Sequence, residues 1–187
     1  MKSVIVATGN RDKFREIAVA LNQFSIRAKM IKVDLEEHGN SLEEIAESKA
    51  VQAFEKIKKP VLVDDTGVYF EAVKGFPGHR AKRLYQSLGF GGIVGRIRGR
   101  SRKAYFKTVL CYKDASTTKL FAGVLRGVIA DTIHRGGRAE LPYEKIFLIK
   151  GRSLASLPLS EKIAMSHRTQ AARKFARWFV KRKVSAA

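Results

Sequence analysis

Near the start of the chain, the apolar residues change from an unbroken run to the spacing of an amphipathic helix. Residues 3–8, SVIVAT, contain the apolar run 4–7 and predict a buried strand. The next apolar residues have the i, i+3, i+4, i+7 spacing of an amphipathic helix: Phe14, Ile17, Ala18 and Leu21. The chain is therefore predicted to open with a β–α unit whose connecting turn is Thr8-Gly9-Asn10.

Two further strands and a second helix are predicted in the first 70 residues. The segment 28–35 predicts a strand, and residues 41–57 predict a helix in which Ser41 and Glu44 have the spacing of a capping box. The segment 61–70, VLVDDTGVYF, predicts a strand that leads into two carboxylates and a Thr-Gly turn.

The second half of the chain combines basic helices with β-rich segments. Residues 80–99 predict one or two basic helices with a glycine-rich joint. Two β-rich segments on either side of residues 115–118 predict an antiparallel hairpin, and residues 146–149 predict a short strand. A terminal helix is predicted from about Ser166. These elements favour a mixed α/β architecture with two lobes around a central twisted mixed sheet.

Composition narrows the class of protein. With 187 residues, of which 45% are hydrophobic, residues 1–187 are expected to form one domain. Since no segment approaches the roughly 20 apolar residues of a membrane span and no signal-peptide pattern precedes the first strand, we expect a cytoplasmic protein. The single cysteine, Cys111, excludes an internal disulfide and is expected to be a buried strand residue.

Charge is distributed unevenly along the chain. Lys and Arg number 37 against 17 Asp and Glu. Residues 1–70 contain 11 of each sign, whereas residues 71–187 contain 26 basic and 6 acidic side chains. This excess fits a nucleic-acid partner, a solvated surface or the charge-rich surface of a heat-adapted protein.

Two clusters carry candidate chemistry. The turn Thr8-Gly9-Asn10 before a helix either binds an anion through free backbone N–H groups or is an ordinary capped turn, and Lys13 lies where it can reach the same anion. Asp64-Asp65 at the end of a buried strand indicates a cation site or an Asx turn. Because neighbouring strand residues face opposite sides, at most one of the pair is expected to enter a cleft, while the other caps the TGVYF segment or pairs with a base.

Further charged groups extend these clusters. Glu36 and Glu37, in a predicted loop, either share a cation with the aspartates or form a solvated acidic loop. Three basic side chains lie just before or at the start of the terminal helix, where the helix dipole favours an anion as partner: Lys162, His167 and Arg168.

Taken in order, the segments ATGNRDKFREI, VDLEE, IAESKA, VDDTGVYFEAVKGFPG, AYFKTVL, FAGVLRGVI and SEKIAMSHRTQA resemble the inosine triphosphate pyrophosphatase family. Members of that family convert deaminated purine nucleoside triphosphates to monophosphate and pyrophosphate. The resemblance spans nearly the whole chain. It implies a nucleotide cleft between the two lobes, Mg²⁺ as cofactor, a nucleoside triphosphate as substrate and a homodimer.

The resemblance also implies roles for individual residues. Those implied to hold the triphosphate are Thr8, Gly9, Asn10, Lys13 and Lys49. Glu37 and Asp65 are implied to position Mg²⁺, with Asp65 also the general base for the attacking water. Those implied to border the nucleotide or contact its base and phosphates are Thr66, Leu141, Tyr143, Glu144, Lys162, His167 and Arg168.

Three segments depart from the family pattern. Two of them are PGHRA, where the family has a PGVYS-like run, and ASLPLSEKI, where Ser156 and Ile163 replace Glu and Asn. The third has the largest consequence for the substrate. Where the family typically has GFGYDPIF, this chain has AELPYEKIF, so that Leu141, Pro142, Glu144 and Lys145 differ from the usual residues. In the family this segment contacts the purine base, so the resemblance implies the same role here, and the motifs implied to bind phosphate and metal match the family more closely. We therefore expect pyrophosphate release with weakened or shifted base selectivity. The alternatives are a repurposed member that binds nucleic acid through its basic C-terminal half, or a pyrophosphatase of other modified nucleotides.

Overall fold

The computed structural model describes residues 1–134 and 142–182. Within these residues it has eight strands, β1 to β8: Lys2–Ala7, Ile26–Ile31, Val61–Phe70, Pro77–Gly78, Lys103–Lys113, Thr118–Ile129, Phe147–Ile149 and Arg152–Ser153. The described residues also form five helices, α1 to α5: Arg11–Asn22, Leu42–Ile57, Ala81–Gly95, Leu159–Met165 and His167–Lys181. None of the helices in the described part of the chain is long and apolar enough to cross a membrane.

The strands form one mixed sheet, in agreement with the predicted fold class. Its order is β2-β1-β3-β5-β6-β7-β8, with β4 paired to β3. Strand β1 is parallel to both β2 and β3. The pairs β3–β4, β6–β7 and β7–β8 are antiparallel.

The described residues divide into two compact units, each with its own hydrophobic core. The first unit comprises Met1–Asp65, Thr108–Gly123 and the described residues from Ser166 onward, and the second comprises the described residues of Thr66–Lys107 and Val124–Met165. In the first unit, α1 and α5 pack on the sheet through residues that include Ile17, Leu21, Phe175 and Phe179. In the second, α3 packs on residues that include Phe70, Phe106 and Phe147. That residues 1–187 form a single domain stays a prediction.

Local sequence accounts for most element boundaries. Helix α2 begins after Ser41, whose hydroxyl accepts a hydrogen bond from the Glu44 N–H at 3.2 Å, as the capping-box spacing predicts. Helix α3 changes direction at Gly89, where φ is 62° and ψ is −174°, in agreement with the predicted glycine-rich joint. Cys111 is fully buried in β5, as expected, and burial raises the pKa of its thiol to about 12.

Two predicted boundaries are wrong. The second strand ends at Ile31, so residues 32–35 lie outside it. Strand β3 continues without a turn through Thr66 and Gly67 to Phe70. A Cβ atom at Gly67 would lie 2.7 Å from the carbonyl oxygen of Gly78, which shows that the glycine allows β4 to approach β3 closely.

Candidate functional site

The turn between β1 and α1 is built by its own side chains. Asn10 is the N-cap of α1, and its Oδ1 accepts hydrogen bonds from the N–H groups of Asp12 at 2.9 Å and Lys13 at 3.0 Å. The Thr8 hydroxyl accepts from the Asn10 N–H at 3.2 Å. Gly9 is exposed, and a Cβ there would come no nearer than 3.7 Å to Lys32, an ordinary contact. The turn is therefore a capped helix start with an open surface at Gly9, and an anion there stays a prediction.

Asp64 lies beside this turn, where its carboxylate is paired with two cations. The parallel pairs Ile5–Val61 and Val6–Leu62, continued by two residues, bring Thr8 next to Asp64. Asp64 Oδ2 is 3.0 Å from the Lys13 ammonium and 3.3 Å from Nε of Arg168, and the carboxylate side chain is only 2% exposed. Burial favours a higher pKa, but the two cations outweigh it and hold the pKa of Asp64 well below its usual range.

Asp65 faces a different cation. Its Oδ1 lies 3.1 Å from the Lys49 ammonium, which also donates to the Asp64 carbonyl oxygen at 3.4 Å. Burial raises the pKa of Asp65, and the nearby ammonium groups of Lys49 and Lys13 only partly oppose that effect. The two carboxylates therefore form ion pairs with different cations, as expected from the strand alternation, but both of them pair with a base. That one of the two enters a cleft stays a prediction.

Helix α2 holds the acidic loop next to Asp65. The Lys49 ammonium lies 3.3 Å from Oε1 of Glu37 as well as contacting Asp65. The side-chain amide of Gln52 accepts from the Glu36 N–H at 2.9 Å and donates to the Glu36 carbonyl at 3.0 Å. Lys56 donates to the Asp34 carbonyl at 2.6 Å. Three residues on one face of α2 thus fix residues 34–37.

The donor set fits a divalent cation that takes few protein ligands. Glu37 and Asp65 share a single ammonium group, so both carboxylates already face one positive charge. Among residues 1–134 and 142–182, no three or more His, Cys, Asp or Glu residues lie together in a group that could hold a metal ion. Mg²⁺ typically uses one or two carboxylates together with substrate phosphates and water, so this pair suits Mg²⁺ better than a cation that needs a full protein cage.

A buried network connects α5 to α1. Nη1 of Arg168 donates to Glu16 at 2.9 Å, and the Ser166 hydroxyl donates to the same carboxylate. The Ser166 hydroxyl also accepts from the N–H groups at the start of α5. Because Arg168 contacts Asp64 through Nε, the network links Glu16 to Asp64 on β3. The start of α5 favours an anion as partner. For Arg168, the carboxylates of Glu16 and Asp64 are that partner.

Glu16 is a residue that the sequence analysis missed. It lies on the buried face of α1 together with Ile17, Ala20 and Leu21. A carboxylate on the apolar face of an amphipathic helix requires a buried partner, and that pattern was the available signal. The partner itself, Arg168, lies 152 positions away along the chain.

His167 is oriented by two further residues that the sequence analysis did not identify. Its Nδ1 lies 2.6 Å from the Thr108 hydroxyl on β5, and both side chains are buried. A Cβ atom at Gly123 on β6 would overlap the His167 carbonyl oxygen and lie 2.7 Å from the Ala171 N–H nitrogen. Gly123 therefore allows the start of α5 to lie directly on the sheet.

Two of the predicted base-contacting residues of the second unit form an ion pair with each other, and a third packs in the core. The Lys162 ammonium forms an ion pair with the half-buried Glu144 carboxylate. Tyr143 is 5% exposed, donates its hydroxyl to the Ala81 carbonyl at 2.9 Å and packs edge-on against Tyr85. The structure thus shows Tyr143 as a packing residue, and its stacking on a base stays a prediction. Thr66 lies within β3, and Leu141 lies outside the described residues.

The fold and the site define a class of protein: a mixed α/β protein with cations and carboxylates gathered at adjacent parallel strands. Residues 4–178 match the Ham1 family, and the chain belongs to that family. It is 34% identical over 179 residues to the dITP/XTP pyrophosphatase of Hyperthermus butylicus, covering 94% of this chain and 93% of the relative.

Other relatives agree with this assignment. The dITP/XTP pyrophosphatase of Methanopyrus kandleri is 35% identical over 181 residues, covering 94% of this chain and 95% of the relative. The solved structure of a HAM1 protein from Coxiella burnetii superposes with a TM-score of 0.80 at 26% identity, covering 97% of this chain and 100% of that one. The resemblance inferred from the sequence motifs is therefore confirmed.

Proposed function

We propose that this protein hydrolyses the deaminated purine nucleoside triphosphates ITP, dITP and XTP to a nucleoside monophosphate and pyrophosphate. The observation that carries the proposal is the grouping in the first unit of two ammonium groups, Lys13 and Lys49, with the carboxylates Asp64 and Asp65. Phosphoryl transfer requires charge neutralisation, positioning and a directed water, and these groups supply all three. The names of the relatives from Hyperthermus butylicus and Methanopyrus kandleri support the choice of substrate.

Each group has a defined part in the proposed reaction. Lys13 and the N-terminus of α1 bind phosphate oxygens, and Lys49 turns from the carboxylates to the triphosphate. Glu37 and Asp65 would hold Mg²⁺, and the metal would supply charge neutralisation for the triphosphate and for the leaving group. Asp65 accepts a proton from the water that attacks the α-phosphorus, and the bond from that phosphorus to the bridging oxygen breaks.

The site of attack determines the products, which gives the proposal its first test. Attack at the α-phosphorus of ITP releases IMP and pyrophosphate, whereas a phosphatase releases IDP and orthophosphate. We expect the purified protein with Mg²⁺ to form IMP and pyrophosphate in equal amounts. Separation of the products by anion-exchange chromatography, without added inorganic pyrophosphatase, measures this directly. Formation of IDP would contradict the proposed reaction.

Base selectivity is proposed to depend on Glu144. A carboxylate accepts a hydrogen bond from N1–H of hypoxanthine, but it faces a lone pair at N1 of adenine. Glu144→Gln introduces an amide that donates to adenine N1, so the ratio of kcat/KM for ITP to that for ATP is expected to fall about tenfold or more. Steady-state kinetics with both nucleotides measures the ratio.

The matched control for this variant is Glu161→Gln, which removes a carboxylate from an exposed ion pair with Arg152 in the same unit. It is expected to leave the ratio unchanged. If Glu144→Gln also leaves it unchanged, another segment selects the base. The homodimer and the cytoplasmic location stay predictions.

A further inference from the structure

A long stretch of the chain is free of acidic residues. Residues 72–113 contain 11 Lys and Arg and no Asp or Glu. The highest density is at residues 96–103, RIRGRSRK, where five of eight side chains are cationic. The proposed nucleotide chemistry uses none of these side chains.

The backbone presents the first three of these cations to solvent. Successive tight turns follow α3, with hydrogen bonds from Ile97 N–H to the Val94 carbonyl at 3.1 Å and from Arg100 N–H to the Ile97 carbonyl at 3.0 Å. Ile97 is fully buried and anchors the segment in the core of the second unit. We call residues 96–100 the arginine turn, and its exposed side chains are Arg96, Arg98 and Arg100.

The acidic residues near the arginine turn already form ion pairs with other cations. Arg102 donates to the Ile129 carbonyl at 2.6 Å and forms an ion pair with Asp131 at 2.7 Å, which makes it a structural residue. Glu71, whose N–H donates to the Lys103 carbonyl, is paired with Arg126 at 3.0 Å. Among residues 1–134 and 142–182, the structure shows no ion pair for the three side chains of the arginine turn.

We propose that the arginine turn binds the phosphodiester backbone of nucleic acid. A guanidinium group is always charged and bonds two phosphate oxygens at once, so three unpaired guanidinium groups within five residues fit a closely spaced polyanion. A membrane surface is a poorer fit because none of the large exposed apolar side chains of the described residues lies within residues 96–103. Contacts of this kind carry no base information, so binding is expected to be independent of sequence.

The test compares two variants that each lose three positive charges. The first is Arg96→Gln, Arg98→Gln, Arg100→Gln. The control is Lys59→Gln, Arg177→Gln, Lys181→Gln, which are exposed positions of the first unit. Fluorescence anisotropy with a labelled 20-nucleotide single strand of mixed sequence measures affinity from about 50 to 200 mM salt, the range over which phosphate contacts lose most of their strength.

We expect the arginine-turn variant to bind about tenfold more weakly at the lowest salt, and the slope of log K against log salt to fall by about 2 for three lost phosphate contacts. The control is expected to change affinity less than about threefold, in line with weak, general attraction. A third variant, Arg96→Lys, Arg98→Lys, Arg100→Lys, keeps the charge and is expected to retain the slope. Circular dichroism melting verifies that all three variants fold.

Three results would overturn the proposal. If the glutamine variant and its control lose the same affinity for the oligonucleotide, binding depends on total charge and not on the arginine turn. Absence of binding by the native protein at the lowest salt would exclude a nucleic-acid surface. Stronger loss of binding to vesicles containing phosphatidylserine than to the oligonucleotide would assign the arginine turn to membranes. ITP hydrolysis is measured in parallel and is expected to be the same in all variants, so this test stands apart from the proposed activity.

Discussion

Asp65→Asn is expected to lower kcat for ITP hydrolysis by roughly 10² or more, because it removes both a general base and a negative charge for the cation. Asparagine keeps the size of the side chain and accepts hydrogen bonds, so Lys49 retains a partner. Loss of activity would then report chemistry rather than packing. Measurement of kcat at saturating ITP and Mg²⁺, together with a melting curve, separates the two effects.

Two controls sharpen the test of Asp65. Asp64→Asn removes the neighbouring carboxylate, which is bound to Lys13 and Arg168, and is expected to lower stability. Asp131→Asn alters a carboxylate whose side chain is 82% exposed and is expected to leave kcat unchanged. If Asp65→Asn keeps most of the native activity while folding normally, the assignment of Asp65 as base and metal ligand is wrong.

Arg168→Met is expected to destabilise the protein by about 3–5 kcal/mol, because it leaves Glu16 and Asp64 without their guanidinium partner in a buried site. The Arg168 side chain is 4% exposed, and the carboxylates are 6% and 2% exposed, so water does not replace the lost contacts. Urea denaturation followed by circular dichroism measures the free energy of unfolding. Methionine retains much of the volume of arginine, which limits any contribution from a cavity.

A double variant tests whether unpaired buried charge causes this loss of stability. With Glu16→Gln and Arg168→Met together, Ser166 keeps an acceptor while one unpaired charge is removed. The double variant is therefore expected to be more stable than the sum of the two single effects predicts, with a coupling of about 1–3 kcal/mol. Additive effects would show that Arg168 and Glu16 do not stabilise the fold as a pair.

Elements with local signals were predictable from the sequence. The N-caps at Asn10 and Ser41 depend on residues within one helical turn, and both are present. The Glu44 carboxylate accepts from the Asn40 N–H, one residue before the position that a full capping box uses. The alternation of a strand also predicted that Asp64 and Asp65 have different partners. In each case the deciding interactions lie within a few residues of the signal.

Features that depend on distant parts of the chain were not predictable in the same way. The partner of Glu16 lies 152 positions away, and that of His167 lies 59 positions away. The sequence favours a turn at Thr66-Gly67 because these residues follow two aspartates, whereas in the structure Gly67 allows the close approach of Gly78 on β4. A single sequence shows which residue types could form such contacts. It does not show which distant segments lie next to each other in the fold.

The buried position of Cys111 gives the protein a built-in reporter of opening. The chain contains one thiol, and it is fully buried in β5 with its pKa raised to about 12 by burial. Thiol reagents attack the thiolate, so the folded protein is expected to resist them until this strand is exposed. The rate at which a thiol reagent labels Cys111 in native buffer therefore reports the opening of this strand, and no engineered cysteine is needed.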